Sequence, residues 1–240
     1  MTLIDCKNHL HSNGYCEFDI SDFDENILPI LQKLKYKLTD EDYLKYFSIL
    51  RMDYNDGVEQ LQLVKQFENH KEADETKREL LKKYKEEFIS QIWLYRNLNM
   101  GDSVMESDIK DMFYKILKFF YEKDEKNVNL GLQWTLYNED CFLKDHNDGQ
   151  GDEYQNVCAI LIYLNDVWDE SWGGGLVLRN TKNVNDKNKK TIHKVIPTFG
   201  KVAIIDLEVF DTSHAVEKII GEHNRVTILS FAINKNKRQK

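Results

Sequence analysis

At Gly131 the texture of the chain changes. From there to Ile233 it runs in short segments, GLQWTLY, VCAILIYL, GLVLR, HKVI, KVAIIDL and RVTILSFAI, each rich in β-branched and aromatic residues and set off from the next by turn residues. Such a rhythm predicts mostly antiparallel strands that close into a sandwich or barrel. The early segment NGYCEFDI, Asn13–Ile20, has the same character and is expected to return to that sheet.

The first half reads as helix. ILPILQKLKYK from Ile27 predicts a short helix behind the acidic stretch Ser21–Glu25, and TDEDYLKYFSIL a second with Thr39 as its N-cap. In EADETKRELLKKYKEEFISQIWLYRNL, the residues Leu81, Tyr84, Phe88, Ile92 and Tyr95 recur at threes and fours, which predicts one amphipathic helix. SDIKDMFYKILKFFYEK repeats the pattern with Ile109, Met112, Phe113, Ile116, Leu117 and Phe120. The expected fold class is therefore α+β with a mainly β core and packed N-terminal helices. With only two prolines and no Gly- or Pro-rich linker in 240 residues, a single domain is expected, 13–126 forming a strand and helical support and 130–233 the β core.

Composition narrows the partners. A net charge of −8 argues against a general nucleic-acid binder. No apolar run approaches the ~20 residues of a membrane span. The N-terminus MTLIDCKNHLHSNGYC lacks the basic-then-apolar order of a secretory signal. Cys6, Cys16, Cys141 and Cys158 form no CxxC, so reduced thiols and a cytoplasmic location are expected. Two basic stretches, Thr181–Lys194 and Asn234–Lys240, read as a solvated loop and a frayed terminus, with a docking patch for an acidic partner as the alternative.

Two His-x-acid pairs stand out, although 7 His among 41 acidic residues supply about one by chance. Side chains at i and i+2 point the same way only on an extended chain; on a helix they lie about 200° apart. His70-x-Glu72 falls at the entrance to a charged helix and is set aside. His146-x-Asp148 lies between strand-like segments and can present both groups to one ion. A third ligand has to come from His193, His214 or His223. Two His and one carboxylate leave a face of the ion open, as in non-haem Fe(II) oxygenases. A 2-oxo acid bound there leaves its far carboxylate in need of a fixed cation, and Arg is the best-shaped donor. Arg225 and Thr227 lie two apart on one strand face. The close-set Cys6, His9, His11 and Cys16 are zinc-type ligands, but the spacing is cramped for a structural zinc site. Gly173, Gly174 and Gly175 read as a tight strand connection.

The segments FLKDHND, ILIYLNDVWDESWGGGLVL, VIPTFGKVAIID, SHAVEKI and RVTILSF together resemble the prolyl 4-hydroxylase-like group of Fe(II)/2-oxoglutarate-dependent oxygenases, across Gly131–Ile233. The resemblance implies a double-stranded β-helix, or jelly roll. It implies that His146, Asp148 and His214 hold Fe(II), and that Arg225 binds the far carboxylate of 2-oxoglutarate. Thr227 and Tyr163 would stand beside that carboxylate, and Tyr137 near the metal and co-substrate. It further implies O2 as oxidant, ascorbate as an accessory reductant, and hydroxylation of a substrate carbon. Related halogenating enzymes lack the carboxylate that Asp148 provides. The implied substrate is a prolyl residue in a peptide or protein. The alternatives are free proline or another small amino acid, and a non-catalytic metal-binding β-barrel module of cupin-like kind. Neither membrane nor nucleic acid is an expected partner, and the sequence leaves the oligomeric state open.

Overall fold

The computed structural model describes residues 2–39, 46–52, 61–67, 70–84, 89–97, 103–148, 156–181, 183–208 and 212–235. Helix α1 (Leu3–Asn13) begins at a capping box, in which the Thr2 hydroxyl accepts from the Asp5 amide and the Asp5 carboxylate accepts from the Thr2 amide. It ends at Gly14, whose φ of 81° supplies the left-handed cap. Strand β1 (Tyr15–Asp19), the short helix α2 (Ile20–Phe23) and α3 (Ile27–Thr39) follow. Next come β2 (Tyr46–Met52), β3 (Leu61–Phe67), α4 (His70–Lys83), β4 (Ile89–Asn97) and α5 (Ser103–Tyr121). The remainder is strand: β5 (Val128–Tyr137), β6 (Phe142–His146), β7 (Asn156–Tyr163), β8 (Leu176–Arg179), β9 (Thr191–Val195), β10 (Lys201–Asp206), β11 (Ser213–Val216) and β12 (Arg225–Asn234).

The strands pair in the order β1-β10-β7-β12-β5-β4-β6-β11-β8-β9, every pairing antiparallel. β10, β7, β12 and β5 form one wall and β6, β11, β8 and β9 the facing one, which is the jelly roll. β4 runs along the corner between them, pairing Leu94–Asn97 with β5 and Gln91–Ile92 with β6. β1 and β9 end the path. They meet through side chains: the ring of His193 stacks on Tyr15 at 5.0 Å, and its Nε2 lies 3.3 Å from Glu17 Oε2.

The apolar run of β7 has no polar face because both of its faces are buried. Cys158, Ile160 and Ile162 join a core shared with α1, α3 and α5, whereas Ala159, Leu161 and Tyr163 point into the barrel. β10 divides the same way, Val202 and Ile204 outward and Ala203 and Ile205 inward. On α5 the stripe Ile109, Met112, Phe113, Ile116, Leu117 and Phe120 is buried as its spacing predicts.

Two sequence expectations are corrected. The helix expected across 72–98 stops at Lys83, and Ile89–Asn97 is a strand. Leu81, Tyr84, Ile92 and Tyr95 keep helical spacing by coincidence across that break. From Gln91 to Leu94 burial follows a period of two, Ile92 and Leu94 being buried and Gln91 and Trp93 less so. Phe88 lies outside the described residues, as does the Tyr95 side chain. Thr39 closes α3 and does not cap a new helix; Tyr46–Met52 is β2, a strand paired with β3 and β4, and 40–45 lie outside the described residues. The stretch expected to be helical support thus contains three strands. The tail 236–240 is likewise outside the described set. Among the described residues no helix is long and apolar enough to cross a membrane.

Candidate active site

β6 and β11 place two histidines side by side. Their antiparallel register sets His214 opposite His146, with ring centroids 4.1 Å apart. Asp148 follows two residues beyond His146, where its backbone carbonyl accepts from Asn156 Nδ2 at 2.7 Å at the start of β7. Its carboxylate lies between the imidazoles, 3.2 Å from His146 Nε2 and 3.1 Å from His214 Nε2. His146 Nδ1 donates to the Lys144 carbonyl at 2.9 Å, which turns Nε2 toward the centre. Among the described residues this is the one group of three ligand-type side chains whose donor atoms converge, all within 4.8 Å of one another.

Electrostatics favour the charged carboxylate. Burial alone raises the pKa of Asp148, but His214 and His146 outweigh it and hold the group well below the usual carboxylate range. Burial disfavours a charge on His146 too, yet the Asp148 carboxylate bonded to it lifts its pKa. His214 is pushed down by burial and by the neighbouring His146. Two neutral nitrogens and one carboxylate are a donor set suited to a divalent first-row metal, so these residues fit Fe(II).

Arg225 opens β12, opposite Tyr137 on β5. Its side chain is buried, with a relative exposure of 1%. The guanidinium lies between two rings, 5.0 Å from the centroid of Tyr137 and 4.9 Å from that of Tyr163. One nitrogen donates to Thr227 Oγ1 at 3.0 Å and another to the Tyr163 hydroxyl at 3.4 Å. Its Nε has no hydrogen-bond partner, and no carboxylate pairs with it among the described residues. Burial raises the pKa of both tyrosines against the opposing effect of Arg225, so both keep their protons. Asn165 fixes the position of this strand end: its Oδ1 accepts from the Val226 amide at 2.8 Å and its Nδ2 donates to the Pro197 carbonyl at 2.8 Å.

A cavity of about 330 Å³ joins the two features, lined by His146, Asp148, His214, Arg225 and Tyr137 together with Gln91, Trp93, Gln133 and Thr135. Each site residue expected from the sequence, His146, Asp148, His214, Arg225, Thr227, Tyr163 and Tyr137, is therefore brought to one neighbourhood. Gln91 and Trp93 were missed because β4 was read as helix. Trp93 stacks on Tyr137 with ring planes 2° from parallel. An alternating reading of SQIWLY, with Gln91 and Trp93 on one face, would have found them.

The other candidate ligands lie elsewhere. His193 belongs to the seam with Tyr15, and His223 stacks on Trp172 at 3.8 Å. The zinc-type set near the N-terminus does not converge. His11 bonds the Phe120 carbonyl, His9 meets Asn13, and Cys6 donates to the Glu17 carbonyl. His70 and Glu72 fall in the first turn of the helix α4, and the His70 side chain lies outside the described residues. Within the basic stretch, Lys189 joins Arg179 in pairing with Asp145, and Lys194 pairs with Glu217. Gly173 and Gly174 have φ of 70° and 69°, and a Cβ on Gly173 would stand 2.0 Å from the Lys218 carbonyl oxygen. The connection there is tight for the reason expected.

Residues 132–232 match the family model of the 2OG-Fe(II) oxygenase superfamily. Among solved structures the chain is similar to a Pseudomonas putida prolyl-4-hydroxylase at 14% identity and a TM-score of 0.58, over 98% of this chain and 100% of that one. It is similar to a Trichoplax adhaerens prolyl hydroxylase, solved with a hypoxia inducible factor oxygen degradation domain peptide fragment, at 14% identity and 0.55, over 97% and 89%. It is also similar to the non-heme alpha ketoglutarate dependent epimerase SnoN from nogalamycin biosynthesis, at 9% identity and 0.59, over 97% and 82%. No curated protein sequence matches. At these identities the structural likeness speaks for the fold. The architecture agrees with the fold that the resemblance implies, and the family match supports a dioxygenase that uses Fe(II), 2-oxoglutarate and O2.

Proposed function

We propose that this chain is an Fe(II)- and 2-oxoglutarate-dependent dioxygenase that hydroxylates a substrate carbon, a prolyl residue in a peptide or protein being the substrate we favour. The observation that carries the reading is Arg225: a fully buried guanidinium without an acidic partner among the described residues, in the same cavity as the His146–Asp148–His214 cluster. A buried cation is costly unless something neutralises it. A dicarboxylate that reaches from the metal to Arg225 does so.

His146, Asp148 and His214 would hold the ion on one side and leave its other face open. Bound Fe(II) would supply the centre at which O2 oxidatively decarboxylates 2-oxoglutarate to succinate and CO2 as the substrate carbon is hydroxylated. Arg225 and Thr227, with the Tyr163 hydroxyl, receive the far carboxylate, and Tyr137 closes the wall beside it. Leu161, Leu176 and Val216 line the same cavity and keep water from the co-substrate. Residues 130–233 make up this machinery and 13–126 support it within one domain. Ascorbate fits as an accessory reductant, and a cytoplasmic location suits four free, buried cysteines.

The preference for a prolyl peptide rests on two of the similar structures being prolyl hydroxylases, one of them with a peptide. Free proline or another small amino acid is the second substrate reading. A non-catalytic metal-binding barrel has no use for Arg225. The test is succinate release from 2-oxoglutarate with Fe(II) and ascorbate, with and without a proline-containing peptide library. Peptide-stimulated succinate, abolished in Arg225→Ala, is the expected result. Metal binding with no succinate under any condition would favour the non-catalytic barrel.

A further inference from the structure

The corner between β5 and β6 is gripped from outside by α4. Asn138, the residue after Tyr137, is buried. Its Nδ2 donates to Asp74 Oδ1 at 2.6 Å, and its Oδ1 accepts from Lys77 Nζ at 2.8 Å. Lys77 also donates to the Glu139 carbonyl at 2.5 Å and lies 3.3 Å from Asp74. One residue earlier, on the cavity side, the Tyr137 ring lies parallel to Trp93 at 6.0 Å and faces Arg225 at 5.0 Å.

A half-buried Asp–Lys pair adds little net stability, because desolvation offsets its attraction. Apolar packing would serve as well if α4 only had to cover the corner. What hydrogen bonds add is direction: they fix the rotation of the Asn138 backbone, and with it the vector along which Tyr137 leaves the strand. A stacked ring is sensitive to that vector in a way that a packed aliphatic chain is not.

We propose that Asp74, Lys77 and Asn138 are positioning residues. Through them α4 holds the Tyr137 ring face-on against Arg225 and so sets the affinity for the dicarboxylate co-substrate without touching it. The inference rests on the proposed function, since it takes 2-oxoglutarate as the ligand of Arg225.

The experiment is a double-mutant cycle read by titration of 2-oxoglutarate into the Mn(II)-loaded full chain. Asn138→Ala and Lys77→Met should each weaken 2-oxoglutarate binding by about tenfold, a coupling of ordinary size for residues in one network. Mn(II) affinity should stay the same. Asp74→Asn keeps an acceptor for the Asn138 amide and should retain most of the affinity. In a Tyr137→Leu background, Asn138→Ala should cause no further loss. Equal losses in both backgrounds, or no loss in the parent, would overturn the proposal. The near-ultraviolet circular dichroism of the Trp93–Tyr137 stack gives a second readout. It should fall in Asn138→Ala while the far-ultraviolet spectrum is kept. If the parent chain binds no 2-oxoglutarate, the functional reading fails by itself, and an unchanged aromatic band in Asn138→Ala then overturns the clamp. Should Asn138→Ala fail to fold, Lys77→Met carries the same comparisons.

Discussion

Replacing Arg225 by Met separates what this residue does for the fold from what it does for a ligand. In the ligand-free chain the guanidinium gains two ring contacts and hydrogen bonds to Thr227 and Tyr163. Stacks of this kind contribute ~1–2 kcal/mol each when desolvated, and hydrogen bonds from a charged donor ~1.5–3 kcal/mol. Against them stands the desolvation of a cation with an exposure of 1%, which is several kcal/mol. The opposing effects are of similar size, so a methionine of comparable length should leave the unliganded melting temperature within a few degrees. With 2-oxoglutarate the balance is one-sided. Removing Arg225 leaves a carboxylate buried and unpaired, at a cost of about 3–5 kcal/mol, or more than a hundredfold in affinity. Arg225→Lys should recover part of this, because the ammonium restores the charge but neither the planar fork nor the fit between two rings. The assay is differential scanning fluorimetry across a 2-oxoglutarate series, where a ligand that binds only the folded state raises the melting temperature with concentration. Parent chain and Arg225→Met should coincide without ligand and diverge with it. A variant that is far less stable without ligand, or that shows the same ligand-induced shift as the parent, would refute the reasoning.

Ala in place of His146, Asp148 or His214 should remove most Fe(II) affinity in equilibrium dialysis, whereas His193→Ala, His223→Ala and the pair His9→Ala/His11→Ala should keep it; full retention in His214→Ala would displace the third ligand. Glu17 is held below its ordinary 4.5 by His193, whose Nε2 lies 3.3 Å from its carboxylate, against the effect of burial. Its contribution to stability is therefore present above pH 4.5 and lost as pH falls through the lowered folded value. The melting-temperature gap between parent and Glu17→Gln should close in acid, and a gap unchanged there would exclude the carboxylate as its source. Gly173→Ala should destabilise by more than the ~1–3 kcal/mol of a backbone region that essentially only glycine adopts, since at φ 70° and ψ −146° its Cβ would also meet the Lys218 carbonyl oxygen at 2.0 Å; an unchanged denaturant midpoint would contradict this.

The β core was legible because its strands carry their signal locally. VCAILIYL and RVTILSFAI are rich in β-branched and aromatic residues, and Arg225 and Thr227 stand two apart on one strand, so motif and geometry agree there. The chain between α3 and α5 was not legible. In EADETKRELLKKYKEEFISQIWLYRNL the charged helix α4 passes into β4 without proline or glycine to mark the break, and its apolar residues satisfy a period of 3.6 across it. That error hid Trp93 and Gln91 from the site. α1 was missed for another reason: it buries only Cys6 and Leu10, too few to make a stripe, although Thr2 and Asp5 carried a capping signal. Tyr163 and Tyr137 looked equally like plain core in sequence, and only the position of Arg225 between them gives their rings a further meaning.

The pairing of β1 with β10 has a kinetic consequence. Tyr15 lies opposite Ile205, so one edge of the main wall is completed by residues from opposite ends of the sequence. Loop-closure entropy delays so distant a pairing relative to local ones such as β2 with β3. Until Tyr15–Asp19 docks, β10 presents a row of unpaired amides and carbonyls along the apolar segment VAII, an edge open to another chain. α1 packs behind β1, with Cys6 and Leu10 in the same core as Cys16 and Phe18. The N-terminal segment thus serves as the last stave of the barrel. While it is still undocked, folding and association compete for the same strand edge, and yield on refolding should fall with protein concentration.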